Sequence, residues 1–171
     1  MELLREITEK DIGLDDIESF AMPYLLRKAG RAVIFDHNDN IALMYVSKLG
    51  YHKLPGGGVE KGEELHTALE REALEEAGSY IEVGDEVGIL IEYRNQMKLL
   101  QISYCFLAKK LPSIGEQQLT TEEIEHGFQL LWIPIDEAIQ SLELDRPSDY
   151  EGKFIRLRDL AFLRKAKKIK K

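Results

Sequence analysis

Three glutamates crowd the end of one helical stretch: Glu72, Glu75 and Glu76 in the run REALEEAG, Arg71 to Gly78. At about 100° per residue, Leu65, Leu69, Glu72 and Glu76 share one stripe, and Glu75 flanks it. The stripe begins apolar and ends as carboxylates, with Ala68, Ala73 and Ala77 at its margins. Like charges at this spacing repel, and partial burial makes the repulsion worse. A divalent cation relieves it. Mg2+ takes hard oxygen ligands and keeps some of its water, so several carboxylates can share one ion or more. A glycine-rich stretch, LPGGGVEKGEE, directly precedes the helix. Gly56, Gly57 and Gly58 are flexible enough to bring a backbone carbonyl to the same ion, or backbone groups to a phosphate. On the helix pattern alone, an exposed charged helix end with Arg71 pairing locally explains the residues equally well.

The elements that must hold these groups follow from pattern. The first 28 residues carry scattered apolar positions and many charges. They read as one or two short helices, or a strand near YLL, forming an extension packed on a single domain over 29–171. RAVIF and IALMYV are β-rich runs around the turn cluster DHNDN, which predicts a hairpin. Helical spacing runs from Glu63 to Ala77, and Gly78 is placed to cap it. VGILIEY and LLQISYCFLA predict two more strands around RNQMK, and FQLLWI another after an acidic segment, Pro112 to Gly127. PIDEAIQSL starts a helix, with Pro134 and Asp136 near its N-terminus. Tyr150, Phe154, Leu157, Ala161 and Phe162 recur at helical spacing in a terminal helix. This order predicts an α/β (α+β) fold, a mixed sheet sandwiched between helices.

From Gly57, five residues lead to Glu63, seven more to Arg71, and then REALEEAGS follows. The pattern resembles the signature of the Nudix hydrolase family, G-x5-E-x7-R-E-U-x-E-E-x-G-U, where U is a bulky aliphatic. Gly57, Glu63, Arg71, Glu72, Glu75, Glu76 and Gly78 fill every glycine and charged position. The two U positions depart from it, holding Ala73 and Ser79; these are packing positions, so the departures bear on local packing. The resemblance implies a Nudix fold and hydrolysis of a nucleoside diphosphate linked to another moiety, with Mg2+ or Mn2+. It implies Glu72, Glu75 and Glu76 as metal ligands, with the Gly57 carbonyl as a further one. Glu63 and Arg71 resemble the family's orienting pair, and Arg71 would hold Glu63 and the catalytic carboxylates in place. Divalent ions neutralise phosphate charge and lower the pKa of bound water, and a glutamate takes the proton. In the family that base is a box glutamate, such as Glu72 here, or an acid in a later loop. Glu116, Glu122, Glu123 and Glu125 are the loop acids available; each otherwise reads as a solvated surface acid.

Within the family, an ADP-ribose hydrolase is expected to carry a proline about sixteen residues past the box, where this chain has EYRNQM. The coenzyme A and isoprenoid-isomerase marks are absent as well. KLPGGGVEKGE resembles the small triphosphatase-like members. The expected substrate is a nucleoside triphosphate, including an oxidised one of the 8-oxo-dGTP type. ADP-ribose, a nucleotide sugar or a dinucleoside polyphosphate are alternatives, and a non-catalytic nucleotide-sensing domain is a further one that usually loses box glutamates.

The chain has 171 residues, 44% apolar and 32% charged, which fits one globular domain. Its net charge of −8 argues against a duplex nucleic-acid binder but not against a small phosphorylated ligand met by a metal or local basic groups. No run is long enough to span a membrane and no leader-like segment opens the chain, so the cytoplasm is the expected location. Many relatives dimerise, so a homodimer is an expectation too. Cys105 sits in an apolar run and reads as a buried thiol. Lys48, His52 and Lys53 precede the glycine loop and could reach a substrate phosphate, although a surface position also explains them. Arg94 and Asn95, in an expected turn, could read a ligand. Tyr45, Tyr93 and Trp132 could stack a base or fill the core. His66 reads as exposed, and the tail RKAKKIKK as a solvated helix end suiting the helix dipole.

Overall fold

The computed structural model describes residues 1–15 and 23–170; the part of the expected N-terminal helices at 16–22, and residue 171, lie outside the described residues. The central strand β2 (Leu25–Phe35) is apolar without a break at its end because both its faces are covered. Ala32 and Ile34 join one core, Val33 and Phe35 the other. Asp36 turns the chain after it: its carboxylate accepts the amides of Asn38 and Asn40, each at 2.9 Å, and Asp39 takes a left-handed φ of 67°. The hairpin partner β3 (Asn40–Val46) also pairs with β4 (Tyr51–Lys53) and with β7 (Phe128–Pro134).

The sheet is mixed. β5 (Ser79–Arg94) and β6 (Leu99–Ile114) form a long antiparallel pair, and β6 runs parallel to β2. With β1 (Leu3–Ile7) at the edge, the order is β1-β5-β6-β2-β3-β4, with β7 on β3. One face carries α1 (Leu65–Ala77), whose Leu69, Ala73 and Ala77 pack on Ala32, Ile34, Ala42 and Phe106. The other carries α3 (Ile135–Leu144) and α4 (Tyr150–Ile169), whose Leu142, Phe154, Phe162 and Leu163 meet Val33, Leu43, Leu90 and Cys105. The sandwich is the expected one. Among the described residues, no helix is long and apolar enough to cross a membrane.

Two expectations are corrected. Residues Leu3–Ile7, read as helical, form the edge strand β1, parallel to β5, followed by a 3-10 turn at Glu9–Ile12. The sheet supplies hydrogen-bonding partners that the local sequence does not advertise, and Ile7 is its one buried anchor. The strand expected to begin near Val87 instead begins at Ser79. Gly84, Asp85 and Gly88 fall where the β5–β6 register shifts, so they sit at bulges within one long strand. The acidic segment also holds a short helix, α2 (Thr121–Glu125), with a capping box between Thr120 and Glu123.

Candidate functional site

The glycine loop is fixed from three directions. The amide of His52 donates to Asp145 after α3 at 2.7 Å, that of Leu54 to Asp159 of α4 at 2.9 Å, and that of Gly56 to Glu76 of α1 at 2.8 Å. The backbone between them pairs with β2: Ala32 donates to the Pro55 carbonyl and Gly30 to that of Gly57, at 3.1 and 3.0 Å. An extended chain presents alternate amides to one side, so residues 52, 54 and 56 can be held by a row of carboxylates. At two points a side chain on the loop would have to displace a neighbour. A Cβ on Gly56 would lie 2.2 Å from the Gly30 carbonyl oxygen, and one on Gly57 would lie 2.2 Å from Glu72 Oε1.

Helix α1 presents the acids to this loop. Gly78 ends it in the left-handed region, φ 55°, and its amide reaches Ala73 and Leu74 carbonyls. Both departures from the Nudix pattern are accommodated. Ala73 is buried in the small-residue core against β2, and buried Ser79 satisfies its hydroxyl on the Ala77 carbonyl at 2.9 Å. The acidic segment closes the helix end: Gln117 Nε2 donates to the Glu76 carbonyl at 2.6 Å and the Gln118 amide to that of Glu75 at 2.8 Å. Sequence reading missed both glutamines, because nothing local in that segment marks a cap.

Arg71 is the hub. It binds Glu63 through two bonds, Nε to Oε1 at 3.0 Å and Nη2 to Oε2 at 3.1 Å. Its Nη1 donates to Glu72 Oε1 at 2.8 Å and Glu75 Oε2 at 3.1 Å, and Nη2 also reaches the Gly58 carbonyl. The Glu63 carboxyl is held below its ordinary pKa by these Arg71 bonds and by the Glu60 amide. Arg71 is held above its own by the Glu63 bonds, joined by Glu72.

Glu76 goes elsewhere. Its side chain is 2% exposed, and beyond Gly56 it binds Lys53 Nζ at 2.6 Å. Burial pushes its pKa up, against the opposing pull of Lys53 and the Gly56 amide. Consequently no group of three or more acids, histidines or cysteines stands together as a ready ligand set among the described residues. Glu72 and Glu75 meet on Arg71, while Glu76 faces inward.

The remaining named residues are spread more widely. Lys53 is buried, with its ammonium also 4.9 Å from the Phe128 ring centre, where a surface position had been one reading. Arg94 ends β5 and is buried, bonded to Glu92 at 2.8 Å, with its guanidinium facing Phe154. Glu122 and Glu125 are exposed on α2, and Glu123 is occupied capping the same helix through the Thr120 amide. His66 is exposed, its ring edge-on to Phe106, and Cys105 is buried. Tyr45 stacks on His52, and Trp132 lies under Lys110. Asp145, Asp159, Arg27 and Arg31 were not singled out from sequence. For the arginines a signal existed: positions 27, 29 and 31 share a strand face, so two charges fall on the face that buries Val33.

The NUDIX domain model matches residues 25–155. The chain therefore belongs to the Nudix family, as the box spacing implies. No curated protein sequence matches it. Solved structures share the fold. A NUDIX hydrolase from Nitrosomonas europaea is 21% identical with a TM-score of 0.58, covering 78% of this chain and 89% of its own. A MutT protein from Methanosarcina mazei Go1 is 18% identical with a TM-score of 0.59, covering 88% and 100%. An ADP-ribose pyrophosphatase from Streptococcus suis is 23% identical with a TM-score of 0.55, covering 85% and 94%.

Proposed function

We propose that this Nudix pyrophosphohydrolase cleaves a pyrophosphate bond in a nucleoside triphosphate, using Mg2+ or Mn2+. The observation that carries the reading is the contact between Gly57 and Glu72, a loop backbone built against a carboxylate that Arg71 orients together with Glu63 and Glu75. The donor set fits a hard cation. It is all oxygen, and the Gly57 carbonyl accepts a bond from Gly30 while keeping a second lone pair. Glu72, Glu75 and the Gly57 carbonyl would hold the ion, with Glu76 joining if it leaves Lys53. When bound, the ion neutralises phosphate charge and acidifies water. Glu72 takes the proton of the attacking water. The Glu63–Arg71 pair keeps Glu72 at the loop, and Glu76 keeps Gly56 beneath it. Water adds to phosphorus, the bridging P–O bond breaks, and the bridging oxygen leaves on the departing phosphate. The structural neighbours bear names ranging from MutT protein to ADP-ribose pyrophosphatase, and at this identity they support the fold only.

The test is turnover of a panel in Mg2+ and, separately, Mn2+. The panel holds nucleoside triphosphates, 8-oxo-dGTP, ADP-ribose, nucleotide sugars and dinucleoside polyphosphates. Released phosphate or pyrophosphate from a triphosphate, lost in Glu72→Gln with the fold intact by circular dichroism, is expected. Turnover confined to ADP-ribose or a nucleotide sugar would overturn the substrate, and tight nucleotide binding without any turnover would overturn the enzyme.

A further inference from the structure

Four cations are buried among the described residues, and three have carboxylate partners. Lys53 pairs with Glu76, Arg94 with Glu92, and Arg158 with Asp159 and Glu92. Arg31 forms no ion pair. Its Nη1 donates to the Gly30 carbonyl at 3.0 Å, and its buried Nε has no partner. The two acids whose charge reaches it, Asp159 and Glu76, are already engaged: Asp159 by Arg158 and the Leu54 amide, Glu76 by Lys53 and the Gly56 amide. Arg158 and Arg27 act against it. Burial lowers the Arg31 pKa to about 10, so the group remains a cation at neutral pH. An unpaired buried charge is among the more costly features a core can hold.

Arg27 lies on the same face of β2, four residues nearer its start. It is exposed, bonded to Gln101 Oε1 at 2.9 Å, and also forms no ion pair among the described residues, although the charges of Glu151 and Glu92 reach it. Both guanidiniums abut the glycine loop. A Cβ on Gly56 would sit 3.0 Å from Arg31 Nη1, and one on Gly58 would sit 3.3 Å from Arg27 Nε and Nη2. Gly57, between them, faces Glu72. The loop therefore separates two charge environments, the Glu72–Arg71–Glu75 cluster on one side and, on the other, two arginines whose nearby acids are not ion-paired to them.

We propose that Arg27 and Arg31 form an anion subsite beside the glycine loop, and that its ligand is a substrate phosphate outside the scissile pair. Arg27 meets the anion at the mouth, and Arg31 supplies positive charge from beneath Gly56. A guanidinium is suited to this, being planar, always charged and able to hold a phosphate through paired N–H donors. The subsite selects a substrate with a third phosphate. A nucleotide sugar, whose two phosphates both belong to the bond being cleaved, has nothing to place there. The identity of the ligand rests on the pyrophosphohydrolase reading.

The experiment uses the full chain in EDTA, where no metal masks the acidic side and the arginines are tested directly by their variants. Inorganic tripolyphosphate is titrated by calorimetry into the wild type, Arg27→Gln and Arg31→Met, and each protein is melted without ligand. At least tenfold weaker binding in both variants is expected, with Arg31→Met melting at or above the wild-type temperature, because removing an unpaired buried charge relieves the core. Wild-type binding by Arg27→Gln, or a lowered melting temperature in Arg31→Met with binding unchanged, would overturn the subsite and make Arg31 a structural residue. The two readings fail separately. Tripolyphosphate bound through these arginines by a protein that hydrolyses nothing keeps the subsite and sinks the hydrolase. Metal-dependent turnover with tripolyphosphate binding unaltered in both variants does the reverse.

Discussion

A methyl group at position 57 has nowhere to go, because Glu72 already stands 2.2 Å from where it would lie. Gly57→Ala should therefore swing the carboxylate off the loop without unfolding the chain. The expected result is a fall in kcat of about a hundredfold, the cost of a misplaced reacting group, with a near-native circular dichroism spectrum. Glu92 offers a test by pH. Burial alone would raise its pKa, but Arg158 and Arg94 hold it below the ordinary 4.5. The unfolded chain then binds the proton more readily than the folded one. Stability from this group is present above about pH 4.5 and is lost as pH falls through the folded value. Melting temperature should drop between about pH 5 and about pH 3 in the wild type. Glu92→Gln should start lower at neutral pH, by about 3 kcal/mol, and vary less. Fixed spacing made the box acids legible in sequence. Arg27 and Arg31 left only a weak mark, two charges two steps apart on one face of a strand, and alternation cannot say whether such charges find carboxylate partners, because those partners lie on distant segments.

At the scale of elements, β1 closes the edge of β5. It buries Ile7 completely, and Tyr93 donates to Glu6 at 3.0 Å. Deleting residues 1–8 should cost about 2–3 kcal/mol from the lost apolar burial, or about 5–10 °C in Tm. It should also promote self-association through the bared edge, visible by light scattering. Helices α1, α3 and α4 were legible because their apolar residues repeat with the helical period, and Gly78 marked a true end. β1 was not, for it is five residues long with Arg5 and Glu6 inside it. The first half of β5 was masked by glycines that serve bulges. The fold class survived these misses because both cores are filled from the well-patterned elements.

Across the whole molecule, the basic tail is engaged rather than free. Lys165 pairs with Glu2, Lys167 with Asp136, and Lys170 with Asp39 while also covering the Phe35 ring. One helix end thus ties the N-terminus, α3 and the β2–β3 turn. Such surface pairs contribute about 0.2–1 kcal/mol each and weaken with salt. Replacing all three lysines by alanine should lower stability by no more than about 3 kcal/mol at low ionic strength. In urea titrations the difference should shrink markedly at about 1 M NaCl, where the Debye length is about 3 Å.

The suspension of residues 52, 54 and 56 on three carboxylates has a consequence in time. Glycine-rich segments ordinarily release their amide protons to water through small local openings. Here each of those three protons is tied to a carboxylate anchored in, or just after, a different helix. No single helix can loosen and free the set, so deuterium should enter these amides on the schedule of the hydrophobic core. The loop behaves as a keystone, and a nucleotide arriving at it finds the backbone already in place.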